Sequence, residues 1–163
     1  MKQLLVILFS ILNFSCTTFK PMNTEDSVNL NKYMGQWYEI ARLPNFFQNG
    51  CKKSKAEYEM LNDGYISVKN SCYKNNEIVI AKAKAWRSSN DSSRLKVRFF
   101  WPFTGNYWIL YVSKDYNYAV VGEPSRDYLW FLSRTKNISI EQIEVMKKVA
   151  LKNGYDIHNL IFD

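Results

Sequence analysis

Apolar and polar residues alternate with a period of two along most of this chain, which is the pattern of β-strands that bury one face. Short runs of turn-forming residues such as Asn62, Asp63 and Gly64 separate the alternating segments. The eight candidate strands span residues 37–43, 55–61, 65–73, 77–87, 94–101, 106–113, 117–122 and 128–134. No helix fits between them, so we expect hairpin connections. The sequence therefore predicts an all-β fold, an eight-stranded antiparallel up-and-down β-barrel with room for one small ligand.

One helix is predicted after the eighth strand. Ser139 is a good N-cap, Gln142 completes a capping box, and Gly154 marks the end of the helix. The apolar face, which we expect to pack on the outside of the barrel, consists of Ile143, Met146, Val149 and Ala150. Residues 157–162 are predicted to form a short final strand.

The fourth strand indicates that the barrel interior is not filled. In that strand Val79, Ala81, Ala83 and Ala85 alternate with Ile78, Ile80, Lys82 and Lys84. Because charged lysines face water, the alanine row must point inward. Alanines leave volume that a solid core would fill with larger side chains. We therefore expect a cavity; the alternative is that neighbouring aromatic side chains fill the gap.

The same alternation assigns other side chains to the interior. They are Trp37, Glu39, Ala41, Tyr58, Met60, Val68, Asn70, Leu95, Val97, Phe99, Tyr107, Ile109, Tyr111 and Trp130. Seven inward residues are our candidates for ligand binding: Glu39, Tyr58, Asn70, Ala83, Phe99, Tyr107 and Trp130. Glu39 is unusual, because an apolar cavity disfavours its charged form. It either hydrogen-bonds the polar head of a ligand or pairs with a neighbouring Arg or Lys.

The strand directions separate a closed end from an open end. Trp37, Asp115, Tyr116 and Arg134 converge at one end, where Arg134 is expected to stack on the Trp37 ring with about 0.5–2 kcal/mol of cation–π energy. The opposite end collects the aromatic residues Phe46, Phe47, Trp101 and Phe103. An aromatic rim is typical of a site for an apolar ligand tail or of a membrane contact. A lid folded over the barrel is the alternative.

The N-terminus has the features of a secretory signal. A basic start precedes the apolar residues 4–12, and this segment is too short to cross a membrane as a structural helix. Cys16 occupies the position of a lipoprotein processing cysteine, and Thr17 after it resembles the pattern sorted to the outer membrane. Removal of Cys16 together with the signal is the alternative.

These features predict three segments. Residues 1–15 form a signal peptide, residues 16–31 a lipidated N-terminus and tether, and residues 32–163 the barrel domain. The expected location is the cell outer membrane, with the barrel facing the periplasm.

Cys51 is predicted just ahead of one strand and Cys72 near the end of its hairpin partner, at similar distances from the turn at residues 62–64. An exported protein meets an oxidising compartment, so we expect a disulfide between them. Two free buried thiols are the alternative.

The charge and the rare reactive residues narrow the function. The formal net charge of +7 suits anionic lipid head groups or nucleic acid, and an exported protein seldom meets nucleic acid. The one histidine, His158, forms no arrangement typical of an enzyme or of a metal site. We therefore expect no catalysis, cofactor or metal. The sequence leaves open whether the chain forms a homodimer.

Three motifs in order resemble those of bacterial lipocalins, the outer-membrane lipoprotein group related to apolipoprotein D and plant temperature-induced lipocalins. They are Gly35-x-Trp37 with residues 38–42, Asp115-Tyr116, and Arg134, and further matching stretches are residues 99–103, 126–130 and 132–135. The resemblance implies a carrier of fatty acids or lysophospholipids in membrane maintenance or stress, with Gly35, Trp37, Asp115, Tyr116 and Arg134 structural. The alternatives are a lipid-modifying enzyme of this fold and a structural envelope lipoprotein without a ligand.

Overall fold

The computed structural model describes residues 21–163. Its elements are α1 (Leu30–Tyr33), β1 (Gly35–Arg42), β2 (Lys52–Met60), β3 (Ile66–Lys74), β4 (Glu77–Arg87), β5 (Arg94–Phe100), β6 (Phe103–Val112), β7 (Tyr118–Gly122), β8 (Leu129–Ser133), α2 (Ile140–Lys152) and β9 (Ile161–Phe162). Each of the eight predicted barrel strands is present, with ends that differ by a few residues. The final strand is shorter than predicted, and the sequence pattern missed α1.

The strands close into a barrel. Neighbours follow the order β2-β3-β4-β5-β6-β7-β8-β1-β9, and an additional β1–β2 pairing joins the two sides. All pairings are antiparallel. The predicted fold class is therefore confirmed. Strands β1 and β2 pair only from Gly35 to Tyr38, and β9 pairs with β1 at Ala41 and Arg42, beyond that segment.

Helix α2 packs on the outside of the barrel, as predicted. Ser139 and Gln142 form the reciprocal capping box, which satisfies backbone donors of the first turn. Met146 and Ala150 are fully buried in an outer hydrophobic cluster with strand residues such as Phe131, and Ile143 and Val149 pack against the same cluster. The helix therefore covers the β6–β7–β8 side of the barrel.

Register shifts on β1, β5 and β6 change which side chains point inward. On β1 the register with β8 shifts between Glu39 and Ala41, so an extra residue enters the strand. Ala41 consequently joins the outer cluster beneath α2, and Arg42 takes an inner position opposite Trp130. The prediction that Ala41 points inward is wrong for this reason.

A second bulge lies on β6. The register with β7 shifts between Ile109 and Tyr111, and Tyr111 packs with the outer cluster rather than with the interior. The inward prediction for Tyr111 is therefore also wrong. A strict period of two cannot anticipate an inserted residue.

Arg134 ties the closed end of the barrel together. Its guanidinium lies 3.8 Å from the centre of the Trp37 ring, as expected. Its nitrogens donate hydrogen bonds to five backbone carbonyl oxygens, those of Lys32, Tyr33, Met34, Gln36 and Tyr116. Trp37 in turn donates from Nε1 to the Tyr33 carbonyl at 2.8 Å. One cation thus joins α1, β1 and the β6–β7 turn to the end of β8.

Gly35 and Asp115 shape the backbone around that cation. Gly35 has a φ of +94°, and a Cβ there would lie 3.3 Å from Nη1 of Arg134. Asp115 accepts a hydrogen bond from Ser113 Oγ at 2.6 Å within the β6–β7 turn, where Tyr116 has a φ of +59°. Both motif residues hold backbone conformations that bring carbonyl groups to Arg134.

Cys51 and Cys72 form the disulfide, with a Cα–Cα distance of 5.4 Å. The bond joins the residue before β2 to β3 near the open end of the barrel. The predicted cross-hairpin pairing is confirmed.

The described part of the expected 16–31 tether packs on the barrel. Met22 and Val28 are buried, and the Asn23 N–H donates to Asn153 Oδ1 at 2.7 Å. Cys16 and the predicted signal peptide lie outside the described residues. Within residues 21–163, no helix is both long and apolar enough to cross a membrane.

We predict that Arg134→Lys lowers the free energy of unfolding by about 2–4 kcal/mol, because an ammonium cannot serve five carbonyls and the Trp37 face together. Urea unfolding followed by tryptophan fluorescence measures the loss. Arg87→Lys, at an exposed position on β4, is the matched control and should stay within about 0.5 kcal/mol of the wild type. Equal stability of the two variants would contradict the role given to Arg134.

Candidate ligand-binding site

The inner face of β4 shows a cavity that widens toward the open end. Ala85 is 3% exposed and Val79 is 45% exposed, and between them Ala83 is half-buried and Ala81 exposed. All four share the inward face, because they are alternate residues of one strand and Ala83 pairs with Val68, a residue of the inner core on β3. Their increasing exposure therefore follows the depth of the barrel lumen. The alanine row does leave space, as the sequence indicated.

The neighbouring strand repeats this gradient. On β5, Leu95 is 4% exposed, and Val97, which is closer to the open end on the same face, is half-buried. On β6, Ile109 is fully buried, and Tyr107, closer to the open end, is partly exposed. The wall formed by β4, β5 and β6 thus surrounds a lumen that is closed below and accessible above.

The structure places six of the seven predicted ligand-binding residues on the inner face. Tyr58 and Ala83 lie in one row, since both flank Val68, and Asn70 lies in the next row toward the open end. Tyr107 pairs with Leu95, but the β5–β6 register shifts between Val97 and Phe100, so that Phe100 rather than Phe99 takes the inner position opposite Phe103. The inward prediction for Phe99 is therefore wrong, for the same reason as those for Ala41 and Tyr111. Glu39 and Trp130 lie on the β1–β8 side. That these residues contact a ligand remains a prediction.

Three tyrosine hydroxyls meet at the bottom of the lumen. The Tyr107 hydroxyl lies 3.0 Å from that of Tyr58 and 2.8 Å from that of Tyr33. Strands β2 and β6 stand on opposite sides of the barrel, so the Tyr58–Tyr107 contact crosses the lumen. Burial raises the pKa of Tyr58 to about 12, so these phenols are neutral donors at physiological pH. Tyr33 was missed because α1, with four residues, is too short for a periodic signal.

Glu39 is paired, which was the second of its two sequence interpretations. Its carboxylate accepts from Arg42 Nη1 at 2.7 Å and from Gln48 Nε2 at 2.7 Å. Burial raises the pKa of Glu39, and the hydrogen bond from Gln48 and the charge of Arg42 partly offset that effect. Gln48 Oε1 also accepts from Trp130 Nε1 at 2.9 Å. The carboxylate therefore anchors the β1–β2 loop to the inner wall.

Three buried polar atoms on β1, β2 and β3 have no hydrogen-bond partner among residues 21–163. They are Arg42 Nε, Ser54 Oγ and Asn70 Oδ1. Ser54 lies two residues before Ala56, which is the register partner of Asn70. Buried polar groups are usually hydrogen-bonded. An acceptor and a hydroxyl on neighbouring strands are thus left unsatisfied, and both atoms are enclosed by the protein. Sequence alternation missed Ser54 and Arg42, because both follow strand irregularities.

The rim of the open end is aromatic, as predicted. Phe46 and Trp101 are 82% and 81% exposed, and Phe103 is also well exposed. Phe47 stacks on Tyr128, with 5.5 Å between ring centres, and Tyr128 stacks on Trp130 at 5.9 Å. A continuous line of rings thus leads from the rim to the inner wall.

A cleft of about 740 Å³ adjoins the rim. It lies between the β1–β2 loop, the start of β2 and β9, and its lining includes Phe46, Lys52, Lys53, Ile161 and Phe162. Apolar and cationic side chains therefore line this cleft together. Residues 21–163 contain no group of three or more His, Cys, Asp or Glu placed to hold a metal ion.

Known proteins of similar sequence and structure share this architecture. A family model described as a lipocalin-like domain matches residues 28–163. Temperature-induced lipocalin-1 of Arabidopsis thaliana is 38% identical over 155 residues, which cover 88% of this chain and 83% of that protein. The outer membrane lipoprotein Blc of Vibrio cholerae serotype O1 is 35% identical over 170 residues, which cover 99% of this chain and 98% of that protein.

The solved structure of insecticyanin from the tobacco hornworm Manduca sexta superposes with a TM-score of 0.72. It is 22% identical and covers 88% of this chain and 84% of that one, so it supports the fold alone. Together with the closed eight-stranded barrel and the arginine–tryptophan contact at its closed end, the family model and the two relatives show that this chain belongs to the lipocalin family.

Proposed function

We propose that this protein binds and carries one fatty acid or lysophospholipid in the barrel lumen at the cell envelope. The observation that carries the proposal is the exposure gradient along the inner face of β4, from Ala85 to Val79. Inward residues that become accessible toward the open end can line the space that an inserted acyl chain occupies. The family supports the coarser part of the proposal, which is the binding of small hydrophobic ligands.

The lining supports an acyl chain rather than a flat or highly charged ligand. Burial of each methylene contributes about 0.8 kcal/mol, so a long chain gains on the order of 10 kcal/mol before the costs of association. Such a ligand needs no ion pair inside the barrel, and the inward cation Arg42 is already paired with Glu39. Lys52 and Lys53 in the cleft beside the rim suit a carboxylate or phosphate head. Asn70, half-buried on the inner face, suits a glycerol hydroxyl.

We predict that Ala81→Trp weakens the binding of a fluorescent fatty acid at least about tenfold, because the indole fills space in the lumen that the chain needs. Ala81 is inward and exposed, so the substitution does not overpack the buried core. Lys82→Trp, the next residue on the outward face, is the matched control and should bind as the wild type does. A titration monitored by probe fluorescence compares the three proteins.

Wild-type affinity in the Ala81→Trp variant would contradict the lumen as the binding site. A folded barrel that binds none of a panel of fatty acids and lysophospholipids would contradict the proposed function itself. Native mass spectrometry of protein purified from its host would identify the ligand.

The proposal includes an anchor at Cys16 that holds the protein on the outer membrane. The pattern of the first eighteen residues supports it, and the relative in Vibrio cholerae is named an outer membrane lipoprotein. Each buried methylene of an attached acyl chain contributes about 0.8 kcal/mol, so several chains on one cysteine hold a protein firmly.

We predict that Cys16→Ser abolishes acylation, because the acyl chains attach through the thiol of that residue. Mass spectrometry and incorporation of a labelled fatty acid measure the modification, and Ser15→Ala is the control that keeps the thiol. Acylation that persists in Cys16→Ser, or a wild-type chain that carries no acyl group, would rule out the anchor.

A further inference from the structure

Three phenol hydroxyls at the bottom of the lumen share only two hydrogen bonds. They belong to Tyr33, Tyr58 and Tyr107, and the Tyr107 hydroxyl bonds to each of the other two. Each phenol has one proton to donate. However these protons are arranged, the two hydrogen bonds use two of the three. One O–H group is therefore left without an acceptor among residues 21–163.

The lumen extends down to two of these rings. Tyr58 and Tyr107 are half-buried, whereas Tyr33 is 1% exposed. Both half-buried rings face inward, since they pack against the inner cluster that contains Val68 and Leu95. The alanine row of β4 leaves space above them, so the end of an inserted chain meets the two phenols. We call the surface formed by Tyr58 and Tyr107 the phenol floor.

The phenols act as neutral hydrogen-bond donors. Burial raises the pKa of Tyr58 to about 12, and burial also raises the pKa of Tyr33 and Tyr107 above the usual phenol value. The O–H group that lacks an acceptor therefore keeps its proton at physiological pH. An alkyl chain end leaves this donor unsatisfied, which costs free energy, whereas an oxygen atom at the chain end satisfies it.

The available donors favour a neutral oxygen over a carboxylate at this position. A carboxylate has two oxygens that accept several hydrogen bonds, and the tyrosine cluster has one O–H group to spare. The cation at the closed end, Arg134, already donates to five backbone carbonyls. A buried carboxylate would thus lack the partners that its charge requires. A hydroxyl or carbonyl oxygen needs only the one donor.

We propose that the phenol floor is a hydrogen-bonding subsite for a neutral oxygen at the buried end of the ligand. The inference deepens the proposed carrier function and rests on it. The preferred ligand is then an acyl chain with a hydroxyl or carbonyl group at the end opposite its head group. The head group lies near Lys52 and Lys53, and the oxygen at the far end accepts the spare phenol proton. Chain length, as well as apolar area, determines the affinity.

Competition between matched ligands tests the subsite. Fatty acids with a terminal hydroxyl group displace a fluorescent fatty acid from the protein, and each is compared with the unsubstituted acid of equal length over a series of lengths. An apolar floor would disfavour the added hydroxyl, because that group would lose its water without gaining a partner. The subsite reverses this order. At the length that reaches the floor, we expect the hydroxy acid to bind about tenfold more tightly than its parent acid.

Three variants locate the effect. Tyr58→Phe/Tyr107→Phe removes both hydroxyls of the phenol floor, so the preference should disappear while the parent acid still binds. Tyr111→Phe, the matched control, removes a phenol hydroxyl that packs outside the lumen and should keep the preference. Asn70→Ala removes another polar group of the inner wall and should also keep it. Each ratio compares two ligands on one protein, so a smaller folded fraction does not alter it.

The contrary results separate the subsite from the carrier function. A wild-type protein that binds every parent acid at least as tightly as its hydroxy partner overturns the subsite and leaves the carrier function intact; a water molecule then takes the phenol proton. A preference that survives in Tyr58→Phe/Tyr107→Phe, or that is lost in Asn70→Ala, places the oxygen elsewhere and overturns the subsite too. If no acid of either series displaces the probe, the carrier function fails, and the subsite fails with it.

Discussion

The guanidinium of Arg134 is the constraint on which the rest of this structure depends. Four of its five carbonyl acceptors lie in α1, β1 and the residue between them, about a hundred residues before it in the chain, and the fifth is Tyr116 in the β6–β7 turn. With Trp37 across its face, it covers a buried hydrophobic cluster that includes Tyr33, Trp37 and Ile109. Because this cation and this cluster fix the closed end, the lumen above it can remain unfilled without loss of a unique fold.

The period of two along the chain was sufficient to predict the strands, their order and the alanine wall of β4. It failed at Ala41, Phe99 and Tyr111, where a bulge adds one residue and reverses the faces. It also missed α1, because four residues carry no period, and with it Tyr33. The bulge that turns Ala41 outward also turns Arg42 inward, and the alternation did not assign Arg42 to the interior. The features that the alternation could not predict are therefore local irregularities, the β-bulges and the short helix α1, and these lie beside the lumen.

The bulge on β1 has a functional consequence. It brings Arg42 inward to pair with Glu39, and the side chains of both residues are about 5% exposed. A buried ion pair adds little net stability, because desolvation cancels most of its attraction. Its value lies in position: Arg42 also donates to the carbonyls of Gln48 and Cys51, and Glu39 accepts from the Gln48 amide. The pair therefore fixes the loop that carries Phe46 and Phe47.

The two ends of the barrel are thus held by different interactions. At the closed end a cation satisfies backbone carbonyls and needs no ligand. At the open end a buried ion pair and the Cys51–Cys72 disulfide hold a loop whose aromatic side chains remain exposed. Exposed Phe and Trp on fixed loops would be a liability in water, since they favour association. Under the proposed carrier function, these side chains would gain free energy on leaving water for an acyl chain, and the ordered loop would lose little entropy.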